Sequence, residues 1–582
     1  MATAGSAAAA TFPVTRTDDP PAGACTPVSC SLRQAVAAAN ANSGPDTVTL
    51  PPGTYTIGQP ELNSSGPLAL IGAGAAATVI TGGHQTGPGT LARAGVINSG
   101  ANLAVIRLSM TGNSATTDDP ATQSITIGAG AILQTAGTLA LIDSVISGNQ
   151  LLTRATSGAG GVMVNLGLLS IVDSTISNNS ATHGGTTLAG GAQVNNSPSG
   201  SASSINSSTL SGNSIDTSST TAGAGGLLLN LADANLVNAT MSGNSATPTV
   251  STDSAGGMFA NLSKLTLTNS TLAANTGGPA AVAGNLATSG SETHALRNTI
   301  ISDGVAPAGA TNCAGAFTSG GGNIENSNQC GLAGAGDQPN TSPLLGPLQD
   351  NGGPTQTRAI APGMPAFNSA IAAFCPGGDQ RGVPRPQGAG CDVGAFEFGP
   401  PENLGVPSIT GTARAFSTLT CSPGIWRGGP IFAFAWLRNG AVIPGAGAAT
   451  YRLTGADQDR AVQCRVTGAN AVGSTSAVSG AIGVAAFPLP VNQRKPSISG
   501  TLRAGSKVRC NTGRWSGSPS FSFSWLRDGS GIRRANSSRY KIAGRDVGHA
   551  LQCQVKARNA GGSVVALSSP RVPAKAKRKR HR

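Results

Sequence analysis

Apolar and polar residues alternate over short stretches in most of the first 340 residues of this 582-residue chain. A sequence motif of about seven residues recurs in the same region. Clear copies are Asp143-Ser-Val-Ile-Ser-Gly-Asn149 and Asp173-Ser-Thr-Ile-Ser-Asn-Asn179. The positions three and eight residues before the closing asparagine are apolar in every copy. Spacings of 30 to 36 residues between copies predict stacked structural repeats. The six closing asparagines are Asn113, Asn149, Asn179, Asn213, Asn244 and Asn275.

The stretches between the asparagines have the pattern of strands and turns. They are short and rich in β-branched residues, and Gly-Gly pairs begin at positions 160, 190, 225 and 256. No long helical pattern intervenes. Strands this short cannot bury an apolar face alone, so we expect them to coil until equivalent positions stack about 4.8 Å apart. The pattern therefore predicts an all-β parallel β-helix over residues 61–340.

The polar columns of the repeat allow two interpretations. Asparagine tolerates the left-handed conformation of tight turns, and its amide can bond to the equivalent amide one coil away, which favours a structural ladder. A second column, six residues earlier, makes Asp143 and Asp173 stacked neighbours and places Arg107 before them. Paired carboxylates could bind calcium or cleave a polyuronide. The alternative is a solvated turn ladder in which Arg107 neutralises Asp143.

One further acidic pair, Asp118 and Asp119, lies in the run Ala-Thr-Thr-Asp-Asp-Pro, which reads as an exposed acidic loop. The candidate catalytic acids are thus Asp118, Asp119, Asp143 and Asp173, with no confident catalytic residue among them. We expect no cofactor and no metal, calcium being the one alternative. The chain's five histidines form no i, i+4 pair, and no G-x-S-x-G motif is present. Between Tyr55 and Phe317 the only aromatic residue on which a sugar could rest is Phe259.

Charge divides the chain at about residue 400. The first 400 residues hold 10 Lys or Arg against 19 Asp or Glu, a net charge of −9, and the remainder holds 27 against 5, a net charge of +22. This asymmetry indicates an anionic partner for the C-terminal part. No nucleic-acid-binding motif accompanies it, and a basic terminus is most often a disordered, solvated tail, so no specific nucleic acid is expected. A carbohydrate, an anionic cell-wall polymer or an acidic lipid suits the charge at least as well.

Ten cysteines fall into five close pairs, and none belongs to a zinc-type C-x-x-C. Sequence does not prove the connectivity, but this usage favours an oxidising, extracellular or cell-surface setting. No stretch is apolar and long enough to cross a membrane. Residues 1–24 are interpreted as a disordered segment or the remnant of a secretory leader truncated by a misplaced start; a cytoplasmic protein with an Ala-rich terminus is the alternative. The pairs are Cys25 with Cys30, Cys313 with Cys330, Cys375 with Cys391, Cys421 with Cys464, and Cys510 with Cys553.

The segments that flank the repeats carry caps. Ser31 and Gln34 form a capping box before an apolar stripe that Gly44 and Pro45 end, which predicts a helix within an N-terminal cap over residues 25–60. Together with Asp46-Thr-Val-Thr-Leu-Pro-Pro-Gly-Thr-Tyr55, the segment Cys30-Ser-Leu-Arg-Gln-Ala-Val36 resembles the CSLREA-type module of bacterial secreted β-helix proteins. In this module Gln34 replaces the usual glutamate.

Residues 341–400 follow the repeats. They contain Asp379-Gln-Arg-Gly-Val-Pro-Arg-Pro386 and Cys391-Asp-Val-Gly-Ala-Phe-Glu397 and resemble the choice-of-anchor Q domain. The two resemblances imply a secreted or surface-displayed bacterial protein with a right-handed, pectin-lyase-like β-helix. They carry no catalytic residues onto this chain.

The basic C-terminal part is a duplication. Cys421, Trp436 and Cys464 have the same spacing as Cys510, Trp525 and Cys553, with a period of 89 residues. A Cys, Trp, Cys order in a strand-rich segment is typical of immunoglobulin-like sandwiches. We therefore predict Ig-like domains at 401–486 and 487–572, which resemble tandem repeats of actinobacterial secreted proteins, and a basic tail at 573–582. Trp426 and Trp515 are interpreted as packing residues, ligand platforms being the alternative.

The pattern as a whole favours a non-catalytic surface or secreted protein, expected to be a monomer. In this hypothesis the β-helix is a rigid stalk or recognition face, and the Ig-like pair supplies basic adhesive or spacer modules. Plain structural display is a further possibility. The alternative is a polysaccharide lyase or glycoside hydrolase that acts on acidic polysaccharide along the coils. Fold alone does not decide between them.

Overall fold

A computed structural model describes residues 8–21, 23–58, 60–85, 92–117, 127–153, 159–183, 188–196, 202–217, 223–248, 253–307 and 309–576. The chain divides into two compact units, residues 1–400 and residues 401–582. The first is a parallel β-helix and the second holds Ig-like β-sandwich domains, which confirms the predicted fold class.

Each full coil of the β-helix passes through four sheets, and neighbouring coils pair in parallel. The first sheet contains Thr11–Pro13, Asp46–Leu50, Leu68–Gly72, Leu103–Ile106, Thr138–Ile142, Leu168–Val172, Ser203–Asn206, Ala234–Val237, Leu265–Thr268, His294–Arg297 and Phe317–Gly321. The second contains Gly53–Thr56, Thr78–Thr81, Ser109–Thr111, Val145–Ser147, Thr175–Ser177, Thr209–Ser211, Thr240–Ser242, Thr271–Ala273, Ile300–Ser302 and Ile324–Glu325.

The third sheet contains His84–Gln85, Ser114–Thr117, Gln150–Thr153, Ser180–His183, Ser214–Thr217, Ser245–Pro248 and Thr276–Gly277. The fourth contains Leu62–Ser64, Ala92–Ala94, Ile97–Ser99, Ile127–Gln134, Ala159–Asn165, Leu188–Asn196, Gly223–Ala224, Leu227–Asn230, Ser254–Ala255, Met258–Asn261, Leu286–Ser289 and Cys313–Ala314.

The apolar columns set the register of the coils. Leu141 lies opposite Val105 on one side and Ile171 on the other, and Ile146 lies between Met110 and Ile176. These side chains are fully buried and form one continuous core. Each coil therefore buries its apolar face only because its neighbours cover it.

The closing asparagines form a buried ladder. The Nδ2 group of each donates to the Oδ1 atom of the next over 2.9 to 3.0 Å, from Asn113 to Asn275. The ladder continues to Asn285 and Asn312, which the repeat spacing does not reveal because they belong to a different part of the coil. Each rung satisfies amide groups that would otherwise be buried without partners.

The expected left-handed conformation of these asparagines is wrong. Positive φ angles occur instead in the column six residues earlier, at Arg107 (56°), Asp143 (47°) and Asp173 (49°), and later in that column at Asn238 and Asn269. After glycine, Asp and Asn are the residues that best tolerate this conformation, because a short polar side chain can bond locally. Left-handed residues also occur immediately before the ladder asparagines, at Gly148, Asn178 and Gly212 among others. The ladder asparagines themselves are not left-handed and direct their amides along the coil axis into buried positions.

The N-terminal cap contains the helix Leu32–Ala41, with both hydrogen bonds of the Ser31–Gln34 capping box formed. The segment Thr11–Pro13 pairs with Asp46–Leu50 and covers the open edge of the first sheet. Val14, which follows it, is 1% exposed. This part of the segment predicted to be leader or disordered therefore belongs to the folded cap, because an uncovered sheet edge would leave backbone groups unpaired.

Beyond the last coil the chain forms the short antiparallel pair Leu348–Gln349 and Thr357–Arg358 and the 3-10 helix Ala372–Phe374. The first Ig-like domain has strands Glu402–Gly405, Ser408–Gly411, Thr418–Ser422, Ile425–Arg427, Ile431–Arg438, Ala441–Val442, Thr450–Arg452, Ala461–Asn470, Gly473–Val478 and Ile482–Gly483, and the 3-10 helix Gly455–Asp457.

The second Ig-like domain has strands Val491–Arg494, Ser497–Ser499, Lys507–Asn511, Arg514–Ser516, Ser520–Arg527, Ser530–Gly531, Arg539–Lys541, Leu551–Asn559 and Gly562–Leu567, and the 3-10 helix Gly544–Asp546. Ala574 pairs with Arg503, so this domain extends past its predicted limit at residue 572.

Candidate functional site

The stacked carboxylates lie at a surface turn of the β-helix. Arg107 approaches Asp143 with 4.0 Å between Nε and Oδ2, and both side chains are about half exposed, at 54% and 51%. Burial raises the pKa of Asp173, and the negative charge of Asp143 raises it further. The arrangement is a weak, solvated ion pair beside a carboxyl group that holds its proton more tightly than usual.

The other candidate acids, Asp118 and Asp119, lie outside the described residues. Within the part of the chain that the structure describes, no group of three or more His, Cys, Asp or Glu could hold a metal ion. Asp143 and Asp173 lie on neighbouring coils, and Arg107 is the charged group that approaches Asp143 among the described residues. None of the helices in the described residues has the length and apolarity to cross a membrane.

Residues 341–400 lie along the side of the β-helix. The sequence order predicts a different position, a module at the far end of the β-helix. Thr209 donates to the carbonyl of Gln356 over 2.6 Å, and Asn238 donates to that of Gly378 over 2.9 Å. Asn269 donates to the carbonyl of Asp392 over 3.1 Å. The module thus covers the turn column and the second sheet from the coil of Ser207 onward, which leaves the turns at Asp143 and Asp173 beside its edge.

This placement explains a change in the turn column. Its early members are charged and partly exposed, while Asn238 and Asn269 are buried, at 6% and 0% exposure. Asn298 continues the column and both donates to and accepts from the backbone of Ile371. Asn269 and Asn298 each give and receive a hydrogen bond beneath the module, and Asn238 donates one. Neutral amides suit these positions because an unpaired buried carboxylate would be costly.

The motif of the 341–400 module builds an internal ion network. The Asp379 carboxylate pairs with Arg381 over 2.7 Å and is fully buried. Arg385 pairs with Glu397 over 3.3 Å, and both side chains are buried. The guanidinium of Arg381 also lies over the ring of Phe396, 3.7 Å from its centroid. These ion pairs and the cation–π contact therefore hold together a module that has little regular secondary structure.

A third acid of the network, Asp392, is directed at backbone rather than at solvent. It accepts hydrogen bonds from the N–H groups of Asn368 (2.7 Å) and Phe398. Burial raises the pKa of Asp392 to about 6, although these two N–H groups oppose the shift. The disulfide Cys375–Cys391 closes the module next to it. These backbone partners tie Asp392 to the chain segments around Asn368 and Phe398.

All ten cysteines form disulfides, and the pairs are those adjacent along the chain. In the Ig-like domains, Cys421–Cys464 and Cys510–Cys553 join the two sheets of each sandwich. Trp436 and Trp525 are fully buried in the same cores. Five disulfides indicate an oxidising, extracytoplasmic compartment.

The other two tryptophans pack within their own domains. The indole of Trp426 lies edge-on to Phe432 at 5.7 Å, and that of Trp515 lies 6.1 Å from Phe521. Each indole N–H donates to a backbone carbonyl, at 2.8 and 2.7 Å. Both side chains are only partly exposed. The ring of each tryptophan thus has a packing partner, and its N–H group has a hydrogen-bond acceptor, within its own domain.

Each Ig-like domain also contains a buried aspartate that the sequence reasoning missed. Asp457 accepts from Arg438 and Tyr451, and Asp546 accepts from Arg527 and Tyr540. Both carboxylates have fully buried side chains. The two aspartates are 89 residues apart, so alignment of the duplication could have found them.

The positive charge of the second unit is concentrated in its second domain. Residues 401–486 hold 6 Lys or Arg against 3 Asp or Glu, a net charge of +3. Residues 487–572 hold 15 against 2, a net charge of +13. Two domains of the same fold thus differ strongly in charge, and the second dominates the attraction of this unit for anions.

No protein-family model matches the chain, and no curated protein matches it. Among solved structures, it is similar to the tandem Ig repeats of Dlar, at 16% identity over 30% of this chain and 100% of that chain, with a TM-score of 0.12. It is similar to the titin domains z1z2 in complex with telethonin, at 17% identity over 31% and 100%, with a TM-score of 0.16. The FN1–FN3 domains of chicken CNTN1 match at 15% identity over 30% and 68%, with a TM-score of 0.13.

Proposed function

We propose that this chain is an extracellular, non-catalytic attachment protein that binds an anionic polymer of the bacterial cell surface through its Ig-like unit. The observation that carries the proposal is the separation of charge between the two compact units, −9 and +22. A rigid, acidic β-helix is repelled by an anionic wall, while the basic unit is attracted to it. The CSLREA-like and choice-of-anchor Q-like segments suit a secreted bacterial protein of this kind.

The full-length chain is expected to sediment with isolated cell walls at low ionic strength. Salt of about 1 M, at which the Debye length falls to about 3 Å, should release most of it. The measurement is the bound fraction as a function of salt concentration, with walls stripped of their anionic polymers as the control. Absence of binding at low salt, or retention that salt does not change, would exclude electrostatic attachment.

A second candidate function is cleavage of acidic polysaccharide, and the raised pKa of Asp173 beside Asp143 is the observation in its favour. In the described residues, however, no metal cluster accompanies the pair, and Arg107 neutralises part of its charge. We therefore propose that these acids serve the turn.

Incubation of the full-length chain with polygalacturonate is expected to release neither unsaturated nor reducing ends. Asp143→Asn with Asp173→Asn is the matched variant, since asparagine already occupies this turn column at Asn238 and Asn269. Release by the unaltered chain that the double variant abolishes would establish the enzyme instead.

A further inference from the structure

One sheet of the second Ig-like domain presents four cations in a square array. Lys507 lies directly opposite Lys541, and Arg509 lies opposite Arg539, on antiparallel strands. All four side chains are exposed, while Val508 and Tyr540 between them turn inward. Alternation along each strand therefore places the four charges on one outer face.

This cation array is unfavourable for the isolated domain. Like charges directly opposite each other on paired strands destabilise a sheet. No carboxylate of the described residues forms an ion pair with Lys507, Arg509, Arg539 or Lys541. Among the described residues the repulsion thus remains uncompensated, which is the condition that an anionic ligand would relieve.

The first Ig-like domain shows that the fold does not require the array. Its equivalent strands pair Thr418 with Arg452 and Thr420 with Thr450. Three threonines and one arginine therefore occupy the positions that hold four cations 89 residues later. Since the two domains share their disulfide, tryptophan and buried aspartate, the difference concerns the surface alone.

Further cations extend the array on one side. Arg533, Arg534 and Arg545 line a shallow pocket together with Arg539 and Lys541, and all are exposed. The equivalent positions of the first domain are Pro444, Gly445 and Ala456, none of which is charged. The cationic surface is thus continuous from the sheet to the adjacent loop.

We propose that the cation array, continued by this pocket, is the binding site for a linear anionic glycopolymer, one carrying phosphodiester or carboxylate groups at regular intervals. This proposal rests on the proposed attachment function and assigns that function to one surface of the second Ig-like domain. Cations two residues apart on a strand are about 6.6 Å from each other, and cross-strand neighbours are about 5 Å apart, so successive anionic groups of an extended chain can each meet a cation. Arginine adds paired donors that match the oxygens of either anion.

The character of the face separates this partner from other polyanions. The outward positions of the third strand are Ser497 and Ser499, and Tyr540 is directed inward. Tyr540 also lines the pocket, but it packs against the domain core and is only partly exposed, so it offers unpaired bases little surface for stacking. Ile532 and Ala535 line the pocket in the same partly buried way and offer little that could insert between lipid headgroups.

The test replaces the cations by the residues of the first domain. Lys507→Thr, Arg509→Thr and Arg539→Thr, introduced together into the full-length chain, should weaken binding to poly(glycerol phosphate) or to polygalacturonate at least about tenfold at low salt. The polymer for which the substitutions cause the larger loss of affinity shows whether the site prefers phosphodiester or carboxylate groups. The thermal midpoint of the Ig-like unit should stay the same or rise, because two like-charge pairs are removed and threonine suits strands.

The control removes the same charge elsewhere, through Arg514→Thr, Lys556→Thr and Arg558→Thr, which lie outside the array. Equal losses of affinity in the two variants would overturn the site while leaving attachment by general charge intact. Failure of the unaltered chain to bind cell walls would remove the attachment function itself. Array-dependent binding that is tighter to duplex DNA or to phosphatidylserine vesicles than to either glycopolymer would overturn the assignment of the ligand.

Discussion

Replacement of Asn179 by alanine is expected to lower the free energy of unfolding of the β-helix by about 3 to 5 kcal/mol. The Oδ1 atom of Asn179 accepts from the backbone N–H and the side-chain amide of Asn149, both at 3.0 Å. Its Nδ2 donates to Ile146 and Asn213, both at 2.9 Å. Alanine removes all four bonds and leaves buried groups without partners, each at a cost of about 1 to 3 kcal/mol.

The measurement is guanidinium unfolding followed by far-ultraviolet circular dichroism. The four tryptophans all lie between residues 426 and 525, so their fluorescence reports the Ig-like unit alone and should not change. Asn178→Gly is the matched control, because Asn178 has a φ of 53° and glycine holds the equivalent position at Gly148 and Gly212. If Asn179→Ala costs no more than this neighbour, the ladder contributes little to stability.

Replacement of Asp546 by alanine is expected to destabilise the second Ig-like domain by about 3 kcal/mol. The carboxylate receives hydrogen bonds from Tyr540 (2.8 Å), the Ala543 backbone (2.6 Å) and Arg527. Its removal leaves a buried N–H and hydroxyl unsatisfied, although Arg527, at 24% exposure, can regain water. The thermal midpoint read by tryptophan fluorescence should fall by at least about 10 °C.

Asp528→Asn is the control for this substitution. Asp528 is half exposed, and the first domain has Asn439 at the same position, where it likewise accepts a backbone N–H across the turn. A much smaller shift of the midpoint is therefore expected. Equal shifts for the two variants would show that the buried carboxylate has no special role.

The same aspartate makes stability depend on pH. Burial alone raises its pKa, but hydrogen bonds from Ala543, Tyr540 and Arg527 outweigh it, so the pKa of Asp546 lies below its ordinary value. The ionised carboxylate thus contributes its full stabilisation above the unfolded pKa of about 3.9, and this is lost as the pH falls below that value toward the folded pKa. The Asp546→Ala variant should lack this loss of stability in acid. The pKa of Asp457 is lowered in the same way, so the same pH dependence is expected of the first domain.

The repeat copies were sufficient to predict the coils, because an apolar column at fixed spacing leaves one way to bury it. They also placed Asp143 beside Asp173. The role of the closing asparagines was only half predictable, since both a turn and a buried amide ladder suit asparagine. The φ angles decided that the left-handed residues are those of the Asp143 column and those directly before the closing asparagines, and not the closing asparagines themselves.

Other features required long-range contacts. The sequence shows the charges of Asp379, Arg381, Arg385 and Glu397 but not that they pair with one another inside a module laid against the coils. Likewise, Lys507 and Lys541 are 34 positions apart, and only the strand register makes them neighbours.

Local periodicity determined the fold class and the two Ig-like repeats, because these depend on residue type at fixed spacing, and composition alone determined the contrast in charge. The tertiary structure alone decided which face of the β-helix is covered, which acids are neutralised internally, and where the basic charge forms an unpaired array. Those outcomes depend on which distant segments meet, and burial or pairing there changes the free energy of a charged group far more than its local sequence does.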